Sequence, residues 1–528
     1  MVTQESFQST VSHPVRQFSK ASWIPLIVLL LLSYVVFFWR LGDGGIRQWD
    51  EASLALNALE MTLNNNPIVK YLDSHVDLIN TKPPLLIWAI AGCMKLLGYN
   101  AWAVRLPSAM AATALVLIVY FFGTAYLHSS GVGLVSALVL LTSFGFTGEH
   151  VARTGDYDAA LVLWMTIYSL GYFIYLNLEQ KSHETTVLVI ATVALICAVW
   201  TKGIAGLLAV PGLFVYAALV GKAKRVFLAP KLYLAALCFL AGSLSYYILR
   251  ESLEPGFLIA VVNNELWGRY MYVVPGGDQR GFLYYFKAML NYRFLPWVYA
   301  LPICAWIGFT LTKEKVRSFA LFGSIYFISY IFIISYSQTK FEWYDAPLYP
   351  ITALIVGLGA SVVIDLVIMM QQSLHSTAAT GKATQPLFYS TLITTIIFLP
   401  LFNNIYFEIY RTKIPFRQNE QAVTRLATTY EAYFRELATA QLPEETNNLT
   451  VINPYRYNHP LLFYTQVASL KSPYAYDVQW ETPTDLVFEP GVVVVNCDAN
   501  TQEKLLSRYH LSFLHVSQTC ATIVLHPQ

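Results

Sequence analysis

The sequence is short of charge. Only 12% of its 528 residues are Asp, Glu, Lys or Arg, about half the share of a soluble globular domain, roughly 25%. The formal balance is close to neutral, at +2. There is no basic excess of the kind that binds nucleic acid, and no nucleic-acid partner is expected. Cysteine is scarce as well, with six residues, no CxxC and no zinc-type spacing, which removes any thiolate metal signal. Cys93, Cys197, Cys238 and Cys304 lie in apolar runs and read as small core residues. Cys497 and Cys520 lie beside strand-like runs in a polar region and are the candidate disulfide. The first apolar run has no small-residue cleavage site after it, and no amphipathic, arginine-rich transit peptide precedes it. It therefore reads as a retained span.

What the chain has is hydrophobicity: 56% apolar residues and a mean hydropathy of +0.48. Apolar runs of about spanning length occur near 23–39, 105–127, 131–147, 157–177, 187–201, 203–220, 232–249, 295–312, 319–336, 347–370 and 386–403, with a shorter run at 84–98 after a double proline. Lys222, Lys224, Arg225 and Lys231 share one short loop, Lys313, Lys315 and Arg317 another, and Arg16 and Lys20 precede the first span. Basic loops stay cytoplasmic. All three fall on one side if 84–98 is re-entrant or juxtamembrane. The expectation is about 11–13 transmembrane helices, with the N-terminus cytoplasmic. The opposite, outer face then carries 40–83, 148–156, 251–294 and 337–346, plus everything after 403.

From about 404 the pattern changes. Val423, Leu426, Tyr430, Tyr433 and Leu437 recur at helical spacing. Strand-like runs follow at 449–453, 491–496, 511–516 and 521–525, with a helical run at 501–509 between two of them. The chain reads as a polytopic α-helical membrane protein, residues 1–403, with a C-terminal soluble α/β domain, residues 404–528, on the outer face.

Ionisable residues gather at the ends of the spans on that face. Asp50 and Glu51 open a helix, where its dipole favours acids. Glu60 comes ten residues later, within about 80° of Asp50 at roughly 100° per residue. Asp156 and Asp158 open the span at 157–177. Lys82, Lys202, Arg269 and Lys340 lie at the same membrane edge, with Tyr344 close to the last. Solvated helix ends and interfacial lysines would account for each singly. Together they suit a site that removes a proton with a carboxylate and holds developing phosphate charge with cations.

Several short motifs recur in order over about residues 20 to 360: Asp50-Glu51-Ala52, Glu60-Met61, Lys82-Pro83-Pro84-Leu85 with Trp88, and Arg105-Leu106-Pro107-Ser108-Ala109. They continue as Asp158-Ala159-Ala160-Leu161 with Trp164, Thr201-Lys202-Gly203, and Lys340 with Tyr344, Pro347, Tyr349 and Pro350. In these the chain resembles the GT-C membrane glycosyltransferases of the lipid A aminoarabinose transferase and protein O-mannosyltransferase group. The resemblance implies transfer of a sugar from a polyprenyl-phosphate donor to a lipid or protein acceptor on the outer face of the cell inner membrane. It implies Asp50, Asp158 and Glu51 as catalytic candidates. Glu60, Lys82, Asp156, Lys202, Arg269, Lys340 and Tyr344 would bind substrate, the cations around the carrier phosphate.

Two departures bear on cofactors. The aminoarabinose enzymes carry a metal-binding Glu before the Lys-Pro-Pro, where this chain has Thr81. The outer loop 251–294 also contains no histidine. No metal ligand is therefore assigned, and a divalent cofactor stays open, its family ligands being absent. The same losses weaken an assignment to aminoarabinose or lipid A. The sugar and the acceptor are not legible. A polyprenyl-linked sugar transporter or flippase is the alternative, as is a non-catalytic envelope scaffold. A transporter would bind at mid-membrane between repeats, whereas these charges sit at one face.

Overall fold

The computed structural model describes residues 23–148, 150–268, 278–377, 399, 418–443, 446–453, 455, 458–480, 487–517 and 519–528. Among the described residues six helices are long and apolar enough to cross a membrane: Ala101–Tyr126, Asp158–Asn177, Lys181–Leu207, Pro230–Leu253, Glu314–Tyr336 and Glu342–Leu366. Shorter apolar helices are Trp23–Phe38, Leu85–Leu97, Ser130–Leu141, Val210–Leu219 and Trp297–Thr310. The protein is a multi-pass membrane protein, as its composition requires. The run at 386–403, apart from Leu399, and the domain boundary at 403/404 lie outside the described residues.

Burial orders the bundle. The apolar window of Glu342–Leu366 is 78% buried, whereas that of Pro230–Leu253 is 11% buried. The first is the bundle's centre and the second its lipid-facing edge. Close approach at the centre depends on small residues: a Cβ at Gly357 would collide with Ser136. Caps start several helices. Asn100 accepts from the Ala103 N–H at 2.9 Å, and Ser129 from that of Val132 at 3.2 Å, each satisfying a first-turn donor.

Helix Leu85–Leu97 does not cross. Its flanks return to one face. Asn80, before it, bonds Tyr157 at 3.0 Å, and Arg105, after it, bonds Glu51 at 2.7 Å. The basic loops meet on the far side. Lys222 donates to Asn177 at 2.7 Å, Lys231 pairs with Glu184 at 2.7 Å, and Lys315 stands 3.8 Å over the Tyr126 ring. Asp158 and Lys202, at the other ends of two of these helices, belong to the first face.

The C-terminal unit has a five-stranded sheet in the order Ala475–Trp480, Asn448–Asn453, Val493–Asn496, Cys520–Pro527, Tyr509–Ser517. The first three strands are parallel, and the last two join antiparallel. Helices Gln418–Leu437 and His459–Ser469 pack together, and the Cys497–Cys520 disulfide is formed. This unit docks on the ionisable face. Gly45 N–H donates to Thr428 Oγ1 at 3.1 Å, Ile46 N–H to Tyr464 at 2.8 Å, and Ser53 bonds His459 at 2.8 Å. Gly45 is needed there, because a Cβ would strike the Ala427 backbone.

Candidate active site

Asp50 and Glu51 begin helix Asp50–Leu63 but face different surroundings. Successive helical residues point about 100° apart. Glu51 turns inward. It accepts from Arg105 Nε at 2.7 Å and Nη2 at 3.0 Å, from the Arg47 N–H at 2.7 Å and from the Gly155 N–H at 2.9 Å. The other Arg105 donors reach the carbonyls of Leu41, Asp43 and Gly45. Burial alone would raise the Glu51 pKa, but the adjacent Arg105 outweighs it and holds the carboxyl below its ordinary value. With four donors in place, Glu51 has no lone pair aimed at solvent, unlike the catalytic carboxylate its sequence position suggests.

Asp50 is exposed and forms no ion pair among the described residues. The residue before it, Trp49, has φ +71°, a strained value for a bulky side chain. Asp50 shares a cluster with His150 and Asp156, in which one ligand atom from each lies within 4.8 Å of the others. Asp156 is 2% exposed. It bonds His150 Nδ1 at 3.0 Å and accepts from the Tyr157 N–H at 2.7 Å. Burial raises its pKa, but the His150 bond outweighs that and the net shift is downward. His150 stacks on Trp343, ring centroids 3.8 Å apart.

Asp158, at the start of its span, takes both oxygens to Lys202 Nζ, at 2.7 and 2.6 Å. The ammonium also stands 5.5 Å over the Tyr344 ring. The sequence groups Asp158, Lys202 and Tyr344, and the fold brings them together. Lys82 lies 3.4 Å from Glu265 and 5.4 Å over Tyr157. Thr81 donates to the same Glu265 at 3.1 Å. So Thr81 and Lys82 both hold Glu265.

Two expected residues fall differently. Glu60 binds the Ser74 N–H at 3.0 Å and Gln466 at 2.8 Å. Burial raises its pKa. It is a tie to the C-terminal unit, not an open substrate ligand, because its helix turns that face toward His459–Ser469. Lys340 is buried, donates to the Ser337 carbonyl, and forms no ion pair among the described residues; burial lowers its pKa. Arg269 lies outside the described residues.

Reading the sequence missed His150, Glu265 and Lys70. Lys70 is fully buried, and its ammonium bonds the carbonyls of Asn80 and, at 2.6 Å, Lys82. The only local signal for His150 is its place six residues before Asp156. Its φ of +61°, uncommon for a non-glycine residue, has no counterpart in a sequence pattern.

A model of the dolichyl-phosphate-mannose-protein mannosyltransferase family matches residues 81–247. These hold Lys82, Asp156, Asp158 and Lys202. An uncharacterised protein of Aquifex aeolicus (strain VF5) is 24% identical over 332 residues, 63% of this chain and 63% of its own length. The match thus spans under two thirds of that relative. Among solved structures, ArnT from Cupriavidus metallidurans bound to undecaprenyl phosphate superposes with TM-score 0.69 at 16% identity, covering 97% of this chain and 100% of that one. The archaeal oligosaccharyltransferase AglB from Archaeoglobus fulgidus, in complex with an inhibitory peptide and a dolichol-phosphate, gives TM-score 0.50 at 13% identity, over 86% of this chain and 64% of that one. The resemblance read from the sequence stands, and the chain has the GT-C fold.

Proposed function

We propose that the protein is an integral membrane glycosyltransferase. It takes a sugar from a polyprenyl-phosphate donor and passes it to a lipid or protein acceptor. The observation that carries this is the meeting, on one face of a GT-C fold, of an exposed carboxylate, Asp50, with buried Asp156 and Asp158 and the cations Lys202 and Lys82. A transporter is less favoured, because these groups lie at helix ends on one face and not at mid-membrane. A scaffold would have no use for an exposed acid beside buried paired charges.

In this reading the acceptor hydroxyl approaches the anomeric carbon while Asp50 accepts its proton. Such a base contributes about 10²–10⁴-fold. The bond from that carbon to the phosphate oxygen breaks, and the electron pair stays on the phosphate. Lys82 and Lys202 stabilise the charge that develops. Asp158 keeps Lys202 in place by its two-oxygen contact, and Glu51 with Arg105 anchors the loop that carries Asp50. The site face is the extracytoplasmic side of the inner membrane. The basic loops on the far side support that orientation, as does the Cys497–Cys520 disulfide, a bond of oxidising compartments.

A second reading is favoured by the Asp50–His150–Asp156 cluster. These three offer a mixed oxygen and nitrogen set that suits a divalent metal. A metal held there would supply Lewis-acid stabilisation of phosphate charge. The test of function is mass spectrometry of envelope lipids and glycoproteins with and without the protein, followed by transfer from a polyprenyl-phosphate sugar by the purified enzyme. Unchanged envelope glycans would remove the transferase reading.

A further inference from the structure

One buried ion pair has no part in the proposed chemistry. Arg293 gives Nε and Nη2 to the two oxygens of Asp345, at 2.8 and 2.6 Å. Nη2 also reaches the Gly145 carbonyl at 3.2 Å. Asp345 accepts a further bond from the Tyr349 hydroxyl at 2.7 Å. Arg293 is 4% exposed, and Asp345 and Tyr349 are 0% exposed. Position 145 has room only for glycine, because a Cβ would collide with the Tyr349 ring. A buried pair of this kind adds little stability over an apolar pair of equal volume. What the planar two-bond fork does supply is fixed direction.

The segments it fixes face the site. Asp345 directly follows Trp343 and Tyr344 in the segment Glu342–Leu348. Tyr344 lies under the Lys202 ammonium. Trp343 stacks on His150, and Phe341 stacks on Trp343 with ring centroids 4.9 Å apart. Gly145 comes five residues before His150. Arg293 therefore grips both segments whose rings meet, the one that carries Trp343 and the one that leads to His150. Trp297 joins the same two regions again through its bond to Thr142 at 2.6 Å. Helix Glu314–Tyr336 adds two ties to the backbone: Tyr330 donates to the Tyr344 carbonyl and Tyr326 to that of Pro347, each at 3.2 Å.

We propose that Arg293, Asp345 and Tyr349 are positioning residues for sugar transfer and act through Trp343 and Tyr344. Trp343 keeps His150 against Asp156, in the cluster with Asp50, and Tyr344 keeps its ring beneath Lys202. The acid that takes the proton and the cation that meets the developing charge are thereby held in register. The three positioning residues themselves are buried behind these rings. This inference rests on the transferase reading.

Replacing the pair as a pair separates positioning from stability. Arg293→Met together with Asp345→Leu leaves no buried charge, so this double variant should melt close to the parent. The detergent-purified full chain is given a membrane extract of cells that lack the protein, which supplies donor and acceptor. Release of polyprenyl phosphate is followed by mass spectrometry. The double variant is expected to lose about 10–100-fold in maximal rate, the cost of a displacement of roughly 1 Å. The half-saturating amount of extract should change little, as for a loss felt in the transition state. Trp343→Ala should lower the rate of the parent but not lower that of the double variant further, because both changes remove the same contact. If the double variant does not fold, Tyr349→Phe takes its place; it removes one bond and keeps the ring, and a smaller loss with the same coupling to Trp343→Ala is expected. A parent that releases no polyprenyl phosphate overturns the transferase reading. A folded variant that turns over as fast as an active parent overturns this inference alone. So does a loss confined to half-saturation, and so does a Trp343→Ala loss that multiplies with that of the variant.

Discussion

Asp50 and Glu51 are adjacent and chemically alike, and substitution should separate them completely. Glu51→Gln keeps the shape but removes the charge opposite Arg105 and turns an amide against its guanidinium. Two bonds of 2.7 and 3.0 Å lose their charge assistance, and Arg105, 3% exposed, keeps its charge with no counter-ion. Breaking a buried pair in this way costs about 3–5 kcal/mol. The carbonyls of Leu41, Asp43 and Gly45 remain as Arg105 acceptors, so the lower end of that range is the better guide. Asp50→Asn alters an exposed side chain and should change stability by no more than about 0.5 kcal/mol, yet cut transfer by at least about 100-fold. The assay pairs melting of the detergent-purified variants with sugar transfer from a polyprenyl-phosphate donor. The pH dependence of the parent follows with its sign. The Glu51 pKa is lower folded than its unfolded value of 4.5. The stability from the pair is therefore complete above about that pH and is lost as pH falls through the folded value. A Glu51→Gln protein that melts with the parent and loses only turnover would refute the anchoring role.

On the metal reading, His150→Ala and Asp156→Asn lose a bound divalent ion that elemental analysis finds in the parent, and chelation lowers transfer. Metal-free parent with full turnover excludes it. Cys520→Ser should destabilise the C-terminal unit by about 3 kcal/mol, given the 23-residue separation, and thiol labelling of the unreduced, denatured parent should find neither Cys497 nor Cys520. Reporter fusions after Arg225 and after Gln528 should report opposite sides of the membrane, and the same side for both would overturn the orientation.

The membrane part of the fold was legible because each helix must satisfy its own backbone in lipid, which forces long apolar runs. The parity of the basic loops marked Leu85–Leu97 as exceptional, leaving either a non-crossing helix or a further crossing elsewhere. The C-terminal unit was legible only in part. The strands at 448–453, 493–496, 509–517 and 520–527 and the helix at 418–437 appear close to where their periodicity puts them. Helix His459–Ser469 and strand Ala475–Trp480 were missed. The helix has eight buried residues out of eleven; with so little exposed face its helical period does not show. The strand is a parallel edge, fixed by pairing with Asn448–Asn453 far away in sequence.

The ionisable residues were legible as types and not as partners, and the difference has a physical origin. A buried ion pair adds little stability over an apolar pair of equal volume, so nothing in local propensity marks which acid meets which base. Glu51 finds Arg105 54 positions away, Asp158 finds Lys202 44 away, and Arg293 finds Asp345 52 away. Each pair joins different elements, so each side chain loses freedom and fixes its neighbours. That rigidity is what a transfer site needs around a reacting bond, where a shift of about 1 Å can cost about 100-fold. The pairs also act by exclusion. Once Glu51 is held by Arg105 and Asp158 by Lys202, Asp50 is left as the carboxylate of the first helix turned to solvent. Asp156 reaches it only through the His150 cluster. The residue able to take a proton from an incoming acceptor is therefore selected by where the other acids are already bound.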